Sequence, residues 1–143
     1  MSKEMLSFKG SVYPWHCDHM GHMNVMWYIG RFDEATWGVF AEHGLSLASF
    51  EAHGIGMAAL EQTIKYNREL HAGDQIEVFS RLLKVSEKVI EFEHRMINVA
   101  TDDVCATVIT TAICLNTAER KGYPFPKDIY ERLIAGLEGA KPE

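Results

Sequence analysis

The chain has 143 residues, enough for one domain with a real core, and its 47% hydrophobic and 24% charged residues are those of an ordinary globular protein. A formal charge of -6, with no block of five or more Lys/Arg, excludes non-specific binding to nucleic acid or an anionic membrane, both of which attract basic surfaces. The start MSKEMLSFKG lacks a signal-peptide core, no stretch approaches a membrane span, and Cys17, Cys105 and Cys114 form an odd set without a CxxC pair, so the expected setting is the reducing cytoplasm.

No internal repeat, low-complexity tract or Pro/Ser linker divides the chain, which predicts a single domain over 1–143. A short strand is predicted over 8–13, where Phe8, Gly10 and Val12 alternate with Lys9, Ser11 and Tyr13 before Pro14 breaks the pattern. From Val25 the period becomes helical: Val25, Ile29, Phe32, Thr36, Val39 and Phe40 fall on one face. Asn24 stands where an N-cap belongs, and His43-Gly44 supplies the stop. Met26, Trp27 and Tyr28 add apolar bulk on other sides, so a sheet is expected to wrap this helix.

After AHGIG, which ends at Gly56, the pattern is mostly strands. One lies within 56–70 and ends near Asn67; His71-Ala72-Gly73-Asp74 turns the chain; two long strands over 75–85 and 88–100 join at Ser86-Glu87. Thr101-Asp102-Asp103 makes the next turn. The nearly continuous Val, Ile, Thr, Ala and Cys of 104–115 suit a central strand covered on both faces. Pro126, at a first helical position, opens a tail helix over roughly 126–138 with Ile129, Leu133 and Leu137 in step. One helix wrapped by one curved antiparallel sheet is an α+β fold, and its bare edges make dimerisation by edge pairing the expected remedy.

Chemistry concentrates in HCDHMGHMN, residues 16–24. His16, His19 and His22 are spaced as metal ligands can be, but no distant ligand pair completes a zinc site, since His43, His53, His71 and His94 are scattered singly. Cys17 beside a histidine could be a nucleophile, although that needs a base oriented by a third group, and Asp18 would raise the thiol pKa. The third reading places Asp18 six residues ahead of a capped helix whose first N–H groups are unpaired and carry partial positive charge. A carboxylate facing such an oxyanion site can attack a carbonyl or deprotonate a water that does. A plain turn ordered by Asp18 stands beside that reading, and Gly21 would let the backbone pass close to a ligand.

The segment Asp18-x-x-Gly21-His22-x-Asn24-x-x-x-Tyr28, following a strand and opening a long apolar helix, resembles the hotdog-fold acyl thioesterases of the 4-hydroxybenzoyl-CoA thioesterase-like family. The turn Ala72-Gly73-Asp74 and the strand order match as well, over roughly 6–117. The resemblance implies a hotdog homodimer, often paired into tetramers, with active sites at the subunit interface. It implies hydrolysis of acyl thioesters of coenzyme A or acyl carrier protein without metal or cofactor, coenzyme A being part of the substrate. Carried over by position, Asp18 is the catalytic nucleophile or general base and the Val25 N–H the oxyanion donor. Asn24 and His22 position the thioester or the water, Gly21 and Tyr28 border the substrate, and Tyr28 shapes the acyl pocket.

Many relatives have a small or apolar residue in place of His22, and Gly-His-Met-Asn is similar to members acting on short or polar acyl groups. Another hotdog subclass takes its carboxylate from within the helix, where Asp33 and Glu34 stand. Lys65, Arg68, Arg81 and Lys84 are candidates for the CoA phosphates, and Met20, Met23, Met26, Trp27, Phe40 and Met57 for the acyl pocket. The absence of a basic docking patch favours CoA over a carrier protein. Two other functions share the fold: a hydratase or dehydratase pairing His22 with Glu34 across subunits, and a non-catalytic acyl-CoA-binding domain.

Overall fold

One long helix organises the computed structural model, which describes residues 4–139; the outermost residues of the 1–143 span lie outside the described residues. Helix α1 runs Val25–Glu42, capped by the Asn24 side chain and closed by His43 and Gly44, as the sequence predicts. Around it curls an antiparallel sheet of strands β1 (Met5–Ser11), β2 (Ile55–Tyr66), β3 (Gln75–Val85), β4 (Val89–Asn98) and β5 (Val104–Asn116) in the order β1-β3-β4-β5-β2. A two-residue strand β6 (Lys121–Gly122) adds to β5. Helix α2 (Leu47–His53) follows α1, and helix α3 (Lys127–Leu137) closes the described chain.

Strand pairing refines several predicted limits. β1 starts at Met5 rather than Phe8 because Met5 and Leu6 already pair with Ser80 and Phe79, and a bulge after Leu6 restores the alternation. β4 is shorter than the predicted 88–100, because the Asn98 carbonyl and side chain accept N–H groups of the following turn. β5 lies between β4 and edge strand β2 and buries alternate residues, so a second face covered within the chain is corrected: on that side Ile109 is exposed and Thr107 and Thr111 are only half-buried. Pro126 is the cap of α3 and not its first residue. Helix α2 has no counterpart among the predicted elements; its one signal was Ser46, whose hydroxyl accepts the Ser49 N–H at 3.2 Å.

The buried face of α1 is also rotated from expectation. Tyr28, Arg31, Phe32, Ala35, Val39 and Phe40 face the sheet, whereas Val25 is 54% and Ile29 41% exposed. The first half of the helix packs with Val12, Met23, Leu70 and Met96, the second with Leu45, Leu82, Phe92 and Leu133. Burying a side chain such as Phe32 contributes roughly 1.5–3 kcal/mol. Between the two apolar groups lies a buried polar chain. Thr36 Oγ1 meets His94 Nε2 at 2.8 Å, His94 Nδ1 meets Ser80 Oγ at 2.5 Å, and Ser80 Oγ meets Ser7 Oγ at 2.6 Å. Burial drives the His94 pKa down to about 4, so the ring is neutral near pH 7 and its two nitrogens are satisfied by hydroxyls.

Candidate active site

The connection from β1 to α1 is a folded loop held at both ends. Pro14 starts a single 3-10 turn, Pro14–His16, and Cys17 and Met23 then form an isolated antiparallel bridge. Asp18 N–H donates to the His22 carbonyl and Gly21 N–H to the Asp18 carbonyl, each at 3.0 Å. Gly21 has φ of +83°, a conformation that L side chains rarely adopt, which is why glycine closes this turn. Met23 N–H donates to Leu70 O at 2.7 Å and Asn24 N–H to His16 O at 2.9 Å, tying the loop to the sheet side and to its own beginning.

Within this frame Asn24 joins the carboxylate to the helix end. Its Nδ2 donates to Asp18 Oδ2 at 2.8 Å while its Oδ1 accepts the Met26 N–H at 2.9 Å. Asp18 Oδ1 accepts the Met20 N–H at 2.9 Å. These two bonds, the Asn24 one foremost, hold the Asp18 carboxyl below its ordinary value, and the nearby His22 and His19 act in the same direction. The Trp27 N–H goes to the Asn24 carbonyl, and no acceptor meets the Val25 N–H among the described residues. An ionised carboxylate and an open helix N-terminus thus share one amide side chain.

The other predicted residues fall in several places. His22 sits beside the site; its Nδ1 donates to Met23 O at 3.2 Å, and its Nε2 lies 3.8 Å from Glu69, a neighbour that nothing in the sequence pattern singled out. Tyr28 is buried. Its hydroxyl donates to Arg68 O at 3.0 Å, and burial raises its pKa to about 12. Arg68 is therefore brought to the helix by its backbone, with an exposed side chain, and Lys65 is exposed on edge strand β2. Arg81 pairs with Glu93 at 3.0 Å, which occupies it otherwise. Met20 and Met26 are exposed, Met23 and Phe40 are core, and Trp27 and Met57 border surface recesses. Asp33 lines a recess of about 150 Å³ with Thr36, Gln62 and Thr110. Glu34 stands on a different recess, nine residues into α1 from Val25 and so about 13.5 Å along the helix axis at 1.5 Å per residue.

The histidines of the loop diverge. His16 is buried and accepts the Tyr13 N–H at Nδ1 (2.9 Å), His19 is exposed, and His22 faces Glu69. Among the described residues no group of three His, Cys, Asp or Glu side chains is arranged to hold a metal ion. The Cys17 thiol points at Tyr13 O, 3.8 Å away.

A family model for the thioesterase-like superfamily matches residues 12–133. Among curated proteins, the chain is 31% identical over 104 residues to Protein THEM6 of Xenopus laevis, covering 73% of this chain and 50% of that one. It is 23% identical over 138 residues to a betainyl-CoA thioesterase of Pseudomonas aeruginosa, covering 96% and 87%. The chain therefore spans half the length of the first relative and most of the second. A Staphylococcus aureus protein solved in complex with CoA superposes with a TM-score of 0.89 at 20% identity, covering 98% of this chain and 89% of that one. No helix among the described residues is long and apolar enough to cross a membrane.

Proposed function

The chain belongs to the thioesterase-like superfamily, a class of thioester hydrolases, and on that premise we propose that it is an acyl-CoA thioesterase whose working carboxylate is Asp18. The thioester carbonyl oxygen lies against the Val25 N–H at the start of α1, where the open amide and the helix dipole stabilise the charge that develops on attack. Asp18 either takes a proton from the attacking water or attacks the carbonyl carbon itself, in which case water cleaves the resulting anhydride. By both routes the C–S bond breaks, the sulfur leaves with a proton as the CoA thiol, and the acid is released. Asn24 fixes the carboxylate and His22 borders the substrate. The protein supplies every catalytic group, and coenzyme A enters as part of the substrate.

The single observation that carries this reading is the Asn24 amide, bonded to Asp18 on one side and to the first turn of α1 on the other. It holds an ionised carboxylate at an oxyanion site, which a mere turn would not require. Gly21 lets a ligand approach the loop backbone, Tyr28 supports the site from below, and Lys65 and Arg68 offer their exposed charges to the CoA phosphates. Betainyl-CoA and CoA, named for two of the similar proteins, point the same way as to thioester type.

Two copies of the chain complete the site on this reading. Val25, Met26, Ile29 and Trp37 leave an apolar stripe open on α1, and Leu60 and Tyr66 are 59% and 47% exposed on unpaired edge β2. A partner subunit, in a dimer or a dimer of dimers, would cover both. A second source of the carboxylate is favoured by one observation, the placement of Asp33 in its recess with Thr36, Gln62 and Thr110.

Thiol release measured over short, long, aromatic and charged acyl-CoAs tests the proposal, with crotonyl-CoA hydration followed beside it. Thiol release without hydration is the expected result. Hydration without thiol release, or tight acyl-CoA binding with no turnover at any chain length, would assign the fold to a hydratase or to a binding domain.

A further inference from the structure

Arg31 is the anomaly of the helix. It is 7% exposed, in the middle of the buried face, yet it has no carboxylate within salt-bridge distance among the described residues. One terminal nitrogen donates to Ser11 O at 2.6 Å and meets His16 Nδ1 at 3.0 Å, the guanidinium stands over the Phe8 ring at 5.3 Å, and Nε has no partner at all. His16 cannot supply the missing negative charge, because an imidazole is neutral or cationic, and its Nδ1 already accepts the Tyr13 N–H. A buried cation without a counter-ion is costly, and a ligand that brings one repays the cost.

Room for such a ligand is present. Arg31 lines a recess of about 490 Å³ with Phe8, Tyr13, Trp15, Trp27 and Glu34. Gly10 helps to keep it open, since a Cβ there would stand 3.0 Å from an Arg31 nitrogen and 2.9 Å from the Phe8 ring. The recess adjoins the site, because His16, whose carbonyl anchors the Asn24 N–H, forms part of its wall. Arg31 follows Val25 by six residues, about 9 Å along the axis.

We propose that the recess over Arg31 receives a carboxylate carried at the far end of the acyl group, so that the enzyme selects CoA thioesters of acids with a second, distal anionic group. The apolar stretch of the chain lies on the aromatic wall, and the carboxylate pairs with the guanidinium. This rests on the acyl-CoA thioesterase reading and deepens it.

The test compares thioesters of equal length, succinyl-, adipyl- and suberyl-CoA against butyryl-, hexanoyl- and octanoyl-CoA, with wild type and Arg31→Met. Wild type should favour the best diacid over its neutral partner by at least on the order of 100-fold in kcat/KM, since a site built to pair a buried polar group rejects an analogue lacking the partner by up to roughly 10⁴–10⁵. Arg31→Met should bring that ratio to about one or below. Equal or better use of the neutral thioesters by wild type overturns the proposal, as when Glu34 on the rim turns inward to pair Arg31; this outcome needs no folded variant. A preference that survives Arg31→Met also overturns it. Failure to hydrolyse any of the six while other acyl-CoAs are turned over would overturn this proposal alone, and absence of thiol release across the whole short, long, aromatic and charged panel would overturn the thioesterase reading.

Discussion

Two polar groups flank the same helix and were given opposite fates. At its N-terminus Asp18 lies at the surface, stays ionised and is held by two N–H donors, one from Asn24 and one from Met20. In its middle His94 is fully buried, neutral, and bonded at both nitrogens by Thr36 and Ser80. The difference is one of solvent. A charge that is hydrogen-bonded and still open to water can meet a substrate, whereas a polar group enclosed between Phe32 and Phe92 can only fix how helix and sheet fit together.

Substitution at the two places should therefore separate activity from stability. Asp18→Asn is expected to lower turnover by roughly 10²–10⁴, the usual contribution of a positioned acid–base group, with the unfolding midpoint little changed. A comparable loss of stability and activity together would remove the distinction. For His94 the effect is read in stability against pH. Its pKa is about 4 folded and near 6.5 unfolded, so between those values the unfolded chain binds the extra proton. The His94 contribution is fully present above about pH 6.5, is lost as pH falls towards 4, and is flat below; its size is about 3 kcal/mol. Urea unfolding across pH 4–7 should show this slope in wild type and a weaker one in His94→Gln.

Asn24→Ala should lower stability and alter activity at once, because its side chain bonds both Asp18 and the first turn of α1. The lost cap should cost about 1 kcal/mol of stability. Release of the Asn24 bond lets the Asp18 pKa rise, so the acid limb of kcat/KM should move to higher pH. An unmoved limb would mean that Asp18 does not control it. The smallest effect is expected for Tyr28→Phe, which removes one hydrogen bond to Arg68 O and about 1 kcal/mol of stability. A change in kcat/KM without that loss would support the acyl-pocket role that the family resemblance implies for Tyr28.

Much of this was legible in the residues. The Asn24 cap, the full length of α1, the limits of β3 and the turn at Gly73 each follow from a local rule, and the chain obeys them. The rotation of α1 was not legible, because Val25, Met26 and Ile29 are as apolar as the core residues next to them; period alone does not distinguish a face that a sheet covers from one left open. Arg31 shows the same limit from the other side. An arginine in an amphipathic pattern reads as solvated, and only the packing of Phe8, Gly10 and His16 around it reveals burial. Helix α2, at seven residues, is too short to display a period. Glu69 is a neighbour of His22 through the fold and carries no local signal.

Which carboxylate does the work is the central question, and one assay addresses it directly. Asp18→Asn and Asp33→Asn, each shown to be folded, are given the same acyl-CoA, and thiol release is followed in a single turnover. The expected result is a fall of roughly 10²–10⁴ for Asp18→Asn and near wild-type rates for Asp33→Asn. Wild-type thiol release by Asp18→Asn, with the loss confined to Asp33→Asn, would contradict the assignment and move the chemistry to the middle of the helix.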